Sequence, residues 1–241
     1  MNLSLQIRNK IDSLPAGKTF GYADLGIPKD KYQTAAKTLE RLQTKGVIKK
    51  ISKGIFYKPE QSVFGEIKPD YSEQLRPYLF ENGKRIAYET GGSLYNKMGL
   101  TTQVSFRIKI ASRSKRIAIN RGAIKADAVK SYAEVTDYNY DLLGFLDAIK
   151  DIKNISDCTA SKAVKIVSGK ISDLTDKQIA DLVKYALLYP PRVKALVGAI
   201  LENLSSTIVL EKLKESLNSL TRFKIGLKEA DLPTINNWNI E

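Results

Sequence analysis

Gln33, Thr34, Lys37, Thr38 and Arg41 carry hydrogen-bonding and cationic groups of the kind that reach base edges and phosphates in a DNA major groove, and they recur at helical spacing. Lys49, Lys50 and Lys53 follow, with Lys58 beyond, on a segment that reads as a two-stranded hairpin, where lysines would meet backbone phosphates.

The elements that must position these residues come from apolar periodicity. Leu3, Ile7, Ile11 and Leu14 form a helical stripe that ends at Pro15-Ala16-Gly17. Residues 22–25 suffice for a short second helix before Gly26 and Pro28 interrupt. Asp30 and Gln33 can form a capping box for a third helix, whose inner stripe is Tyr32, Ala35, Leu39 and Leu42 and which stops at Lys45-Gly46. Residues 47–51 and 55–58 flank Ser52-Lys53-Gly54, a loop of hairpin length. Three helices and a basic hairpin make a winged helix-turn-helix over residues 1–60, with the third helix as reader. A plainer reading of the same segment is a small helical domain with a solvated basic face, or one that contacts proteins.

Charge divides the chain. Residues 1–60 hold 12 Lys and Arg against 5 Asp and Glu, residues 61–130 hold 13 against 6, and residues 131–241 hold 14 against 15. The surplus of +13 therefore lies in the first half, which favours a polyanion there and a different task for the second half. With 241 residues and 43% apolar content, the chain can fold into one small and one larger domain. No signal-peptide core opens it, and its densest apolar stretch, residues 195–201, is too short to span a bilayer, so the expected location is cytoplasmic with no membrane contact. The lone Cys158 fits a reducing compartment and a structural role.

Residues 59–68 read as the joint between domains, leaving a C-terminal domain at 66–241. There, a helix over 71–80, a strand over 85–89 and a helix after Gly91-Gly92 precede the alternating run 104–110, whose apolar residues should face inward. Residues 115–120 and 123–126 are its expected partners, giving a small sheet over about 66–130. Its wet face would show Arg107 and Lys109, with Arg113, Lys115 and Arg116 in the next turn. This second basic surface either touches nucleic acid or an acidic partner, or merely keeps the sheet soluble. Amphipathic helices follow around 142–149, 163–167, 179–186, 190–204 and 208–220, making a helical bundle over 138–220 or a helical cap on the sheet. The fold class is α+β.

Enzyme motifs fail on spacing. Gly17-Lys18-Thr19 lacks the glycine a phosphate-binding loop needs at position 12, which is Asp12. Gly91-Gly92-Ser93 resembles the start of a nucleotidyltransferase signature, but after Glu89 the next acid is Asp127, too far to hold magnesium. Histidine is absent, which removes His-based acid–base catalysis and His-containing zinc sites. The pairs Asp137 with Asp141 and Asp173 with Asp176 read as helix caps. No enzyme activity, cofactor or metal is expected.

Four segments carry a family resemblance: Leu14-Pro15-Ala16-Gly17-Lys18-Thr19-Phe20; Thr38-Leu39-Glu40-Arg41-Leu42 through Lys50; Lys53-Gly54-Ile55-Phe56-Tyr57-Lys58-Pro59; and Thr90-Gly91-Gly92-Ser93-Leu94-Tyr95-Asn96 with Gly99-Leu100-Thr101-Thr102-Gln103-Val104. Together they resemble AbiEi-type antitoxins of bacterial type IV toxin–antitoxin systems, over residues 1–125. The resemblance implies an N-terminal domain that binds double-stranded DNA at its own promoter or operator and represses transcription. It also implies a C-terminal domain that counteracts a nucleotidyltransferase-fold toxin without a stable complex. The alternative class is a protein-interaction module whose winged helix and basic sheet bind an acidic protein.

Overall fold

The structure, a computed structural model, describes residues 2–63, 65–120, 124–206 and 210–241. It is a mixed helix-and-strand protein of the α+β class. It divides into two compact units, one of Met1–Arg85 with Ile119–Lys125, the other of Ile86–Ala118 with Ala126–Glu241.

The first unit begins with helix α1 (Leu3–Asp12), strand β1 (Thr19–Gly21), helix α2 (Tyr32–Thr44), and strands β2 (Lys49–Ser52) and β3 (Ile55–Tyr57). The strands form an antiparallel sheet in the order β1-β3-β2, the layout of a winged helix. Ile7, Ile11, Phe20, Leu25, Ile27, Ala35, Leu39, Ile48 and Phe56 make its core. The expected second helix at 22–25 is instead a turn. Asp24 accepts a hydrogen bond from the Gly21 N–H at 2.8 Å, Ile27 N–H closes onto the Tyr22 carbonyl at 3.1 Å, and Lys10 Nζ donates to the Leu25 carbonyl at 2.7 Å. Gly26, at a φ of 62°, and Pro28 end the segment before helical bonds can extend. The expected Asp30–Gln33 capping box is also absent: Lys29–Lys31 form a 3-10 turn behind Pro28, so α2 starts at Tyr32 with no side-chain cap.

Residues 59–68, read from sequence as a joint, form a hairpin of β4 (Glu60–Ser62) and β5 (Gly65–Ile67). Helix α3 (Tyr71–Leu79), capped by Asp70, follows, and then the hairpin β6 (Phe80–Glu81) and β7 (Lys84–Arg85). Glu73 of α3 accepts hydrogen bonds from the buried Thr19 at its N–H (3.0 Å) and hydroxyl (2.9 Å), which fastens α3 to the edge strand β1. The winged-helix unit thus runs on to Arg85.

The second unit holds β8 (Ala87–Thr90), helix α4 (Gly92–Lys97), β9 (Ile108–Ser112) and β10 (Ala126–Lys130). Its sheet has the order β10-β9-β8, with β9 parallel to β10 and antiparallel to β8. The expected strand over 104–110 therefore starts later and pairs differently, and Ala123 of the expected partner segment lies outside the described residues. Val104 and Phe106 are not inward: they are 80% and 99% exposed. Thr101 and Thr102 hydroxyls donate to the Asp157 carboxylate, which ties the preceding loop away from the sheet until Ile108.

Helices α5 (Tyr140–Lys150), α6 (Ala160–Ser172), α7 (Asp176–Ala186) and α8 (Pro191–Asn203) form the expected bundle. The fifth helix is shorter than expected, α9 (Glu211–Glu215), and the expected start at Ile208 lies outside the described residues. Of the expected acid caps, Asp141 and Asp176 lie in the first turns of α5 and α7 but are not their N-caps. Thr175 caps α7 in a capping box with Gln178, Asn139 stands at the start of α5, and Asp173 ends α6 rather than starting a helix. Helix α8 is buried on nearly all sides through residues 195–201, as expected of a central helix. Among the described residues no helix is long and apolar enough to cross a membrane.

The C-terminal segment closes over α8. Trp238, 1% exposed, lies flat against Gly198 and donates its indole N–H to the Glu202 carboxylate. A Cβ at Gly198 would stand 2.2 Å from two ring carbons of Trp238. Gly198→Ala should therefore destabilise the protein by about 3 kcal/mol, the upper range for overpacking, because neither indole nor helix backbone can yield. Gly169→Ala, in α6 with nothing within 4 Å of the new Cβ, should instead stabilise by about 0.5–1 kcal/mol through helix propensity. Urea unfolding of both variants measures the contrast.

Candidate nucleic-acid interface

Helix α2 turns Ala35, Thr38, Leu39 and Leu42 inward, and its outer face carries Gln33, Thr34, Lys37, Glu40 and Arg41. Gln33, Lys37 and Arg41 are spaced four apart, one turn above another on a single stripe. Their side chains, and those of Thr34 and Glu40, have no hydrogen-bond or ion-pair partner among the described residues. Thr38 corrects the sequence expectation. It is 8% exposed, donates to the Thr34 carbonyl at 3.2 Å and shares a 3.0 Å hydrogen bond with the Ser4 hydroxyl of α1, so it joins helices and faces no ligand. Glu40 is the residue the sequence reading passed over. It lies three residues after Lys37, and that spacing was the available signal.

The hairpin lysines divide by role. Lys50 and Lys53 are exposed and unpaired among the described residues. Lys49 is ion-paired with Glu66 of β5, and Glu66 also accepts a 2.6 Å hydrogen bond from the Tyr57 hydroxyl. The hydrogen bond from Lys49, with that from Tyr57, holds the Glu66 carboxyl below its ordinary 4.5. Burial and the Glu66 hydrogen bond push Tyr57 up to about 12. Lys58 donates to the carbonyls of Asp12 (2.9 Å) and Leu14 (3.1 Å), satisfying the C-terminal end of α1.

The second basic surface also separates into parts. Arg107 pairs with Asp127 at 2.6 Å, which keeps the Asp127 carboxyl below its usual range. Lys109 lies along Gly91, whose φ of 73° and ψ of −154° suit glycine and whose missing Cβ leaves room for the lysine stem; a Cβ there would stand 2.9 Å from it. Arg113, Lys115 and Arg116 follow β9 and gather with Lys130 around one cavity. Cys158 is half-buried and burial pushes its thiol up, away from a reactive thiolate.

The sequence reading missed a buried carboxylate in the second unit. Asp147 of α5, 2% exposed, accepts hydrogen bonds from Tyr88 (2.8 Å) and Thr90 (2.7 Å) of β8, from Tyr189 (3.2 Å), and from Lys150 (3.2 Å). Tyr95 of α4 donates to Asp151 at 2.8 Å and lies 3.1 Å from the Asp147 carbonyl. Burial, then the Asp147 charge, pushes the Tyr88 and Tyr189 hydroxyls far up; burial and Asp151 do so for Tyr95. Burial opposes the Lys150 ammonium, but Asp147 and Asp151 outweigh it and hold its pKa above the ordinary lysine value. The distinctive Gly-Gly-Ser-Leu-Tyr-Asn segment thus serves this network, with Asn96 closing the next loop onto the Thr101 carbonyl at 3.1 Å.

These features define a winged-helix protein with an α+β second unit. The chain belongs to the family of unknown function DUF6088, whose sequence profile matches residues 6–186. Among solved structures it is similar to the crystal structure of the RV2827C protein from Mycobacterium tuberculosis, with a TM-score of 0.53, 10% identity, and coverage of 97% of this chain and 88% of that one. At that identity the likeness concerns the fold alone. No curated protein matches the sequence.

Two outcomes follow. Asp147→Ala should cost about 3–5 kcal/mol, because it strands three hydroxyls in the core and removes the counter-ion of the half-buried Lys150, and urea unfolding checks it. The lowered Glu66 pKa means its contribution is present above the ordinary 4.5 and disappears as pH falls through the folded value. The stability gap between wild type and Glu66→Gln should therefore be open at neutral pH and close in acid, read from melting temperatures across pH.

Proposed function

We propose that the chain is a DNA-binding transcriptional autoregulator, the antitoxin component of a toxin–antitoxin pair, with no catalytic role of its own. One observation carries the DNA-binding part: Gln33, Thr34, Lys37 and Arg41 stand free on one face of a thirteen-residue helix, beside a wing that presents Lys50 and Lys53. Such a helix is roughly 20 Å long, and a major groove admits it. Gln33 and Thr34 lie in its first turn, where recognition helices meet base edges, and the longer Lys37 and Arg41 reach bases or flanking phosphates. Glu40 accepts from a cytosine amino group or selects against sites that offer it none. The antitoxin part rests on the resemblance of the segments around Gly91 and Gly99, and its partner would be a nucleotidyltransferase-fold toxin opposed without a stable complex.

A second reading, a protein-interaction module that holds an acidic partner, draws on the exposed Val104 and Phe106 beside Arg107 and Lys109. It requires a pulled-down protein that survives nuclease treatment.

The test is binding of the purified protein to DNA upstream of its own gene against a scrambled duplex, across a salt series. Lys37→Ala and Arg41→Ala should each cost about 1–3 kcal/mol on the preferred sequence and relax selectivity. Lys50→Ala and Lys53→Ala should weaken all duplexes alike and reduce the salt slope by about one each. Lys49→Ala should do little, whereas Glu66→Gln, which releases Lys49, should strengthen binding and steepen the slope. Equal, weak binding to both duplexes in every variant would sink the proposal.

A further inference from the structure

Arg113, Lys115, Arg116 and Lys130 line a cavity of about 390 Å³ in the second unit, with Ser112, Ser114 and the β10 residues Ala128 and Val129. No residue lining it is acidic. Its place in the fold is specific: it lies at the carboxyl ends of the parallel strands β9 and β10, where open sheets bearing parallel strands hold their ligands. The Ser112 hydroxyl fixes the chain there, donating to the Ile86 carbonyl at 2.7 Å and accepting from the Lys115 N–H at 3.3 Å.

The two ends of this strand pair treat their cations differently. At the amino end Arg107 is neutralised by Asp127. At the carboxyl end Arg116 and Lys130 have no partner among the described residues, and Arg113 makes only a 3.5 Å contact to the Ser131 carbonyl, leaving most of its donor fork unused. Cations converging on a concave surface repel one another unless a counter-charge enters. Guanidinium forks match phosphate oxygens in pairs, and the cavity falls in the range of small-ligand sites, on the order of 300–1,000 Å³. The β10 edge at Ala128 suits a sugar or base.

We propose that this cavity is a binding site for a phosphate-bearing ligand of nucleotide size, with Arg113, Arg116 and Lys130 on the phosphate and the rest along the β10 edge of the cavity at Ala128. The site is separate from the face of α2 and uses different residues.

Pyrophosphate and ATP, titrated by calorimetry, and a fluorescein-labelled single-stranded oligonucleotide, followed by anisotropy, test it on the full chain at constant ionic strength. Wild type should bind at least one of them saturably. The double variant Arg116→Glu, Lys130→Glu, both at exposed positions, should lose about tenfold or more while keeping its circular dichroism and melting temperature. The variant Lys37→Ala, Arg41→Ala should keep pyrophosphate and ATP binding, so failure of the DNA-reading proposal and failure of this one are distinguishable. Binding of pyrophosphate or ATP would identify a free nucleotide-like ligand, and binding of the oligonucleotide alone would identify the nucleotide unit of a polymer. Absence of saturable binding to all three, or equal affinities in wild type and the glutamate variant, would overturn the proposal.

Discussion

The buried carboxylate of Asp147 is the interaction around which the second unit is arranged. A charge at that depth is tolerated only when hydrogen bonds and a counter-ion replace its water, and the partners come from separate elements: β8 gives Tyr88 and Thr90, the segment before α8 gives Tyr189, and α5 itself gives Lys150. Each partner is specified by direction as well as distance. Apolar packing alone would permit α5 to slide or rotate against the sheet, since one Leu contact can replace another. A carboxylate with these four donors permits one register. Tyr95 adds α4 to the same fixed point through Asp151.

Sequence periodicity disclosed the helices around this point and not the point itself. Leu142, Leu146 and Ile149 mark the buried face of α5, and Asp147 lies between them in an apolar run where only Lys150, three residues on, hints at a counter-ion. Its three hydroxyl partners are 42 to 59 residues away, and only the fold brings them together. The winged helix was more legible because its signals are local. Its helical core residues repeat at helical spacing and its wing turns at a glycine, whereas the third strand of its sheet, β1, is three residues long and carries no periodic signal. In the first unit one short-range signal overrode another: Asp24 turns the chain before a second helix can start, and Pro28 sets a 3-10 turn in place of a capping box; in the second, the Asp157 anchor on β9's preceding loop comes from 56 residues away.

Charge shows the same division. The count of 12 Lys and Arg against 5 Asp and Glu in residues 1–60 says that this end attracts polyanions. It does not say which cations are free. Lys10 and Lys58 hold backbone carbonyls, and Lys49 is held by Glu66, a residue outside that window. Three of the lysines that create the surplus are therefore part of the scaffold.

That loss bears on the DNA binding proposed for the winged unit. Each phosphate neutralised contributes to affinity without regard to sequence, so a wing with Lys49, Lys50, Lys53 and Lys58 all free would grip any duplex. With Lys49 and Lys58 withdrawn, the unpaired cations facing outward on the helix and wing are chiefly Lys37, Arg41, Lys50 and Lys53, and an acid, Glu40, lies among them. In the proposed interface the non-specific term would thereby be lower, while Gln33, Thr34, Lys37 and Arg41, the groups proposed to discriminate bases, remain free. A regulator that must find one promoter among many competing sites depends on that ratio rather than on total affinity. The Lys49–Glu66 pair, which looks like a loss to a nucleic-acid interface when counted as charge, is in this light consistent with selectivity.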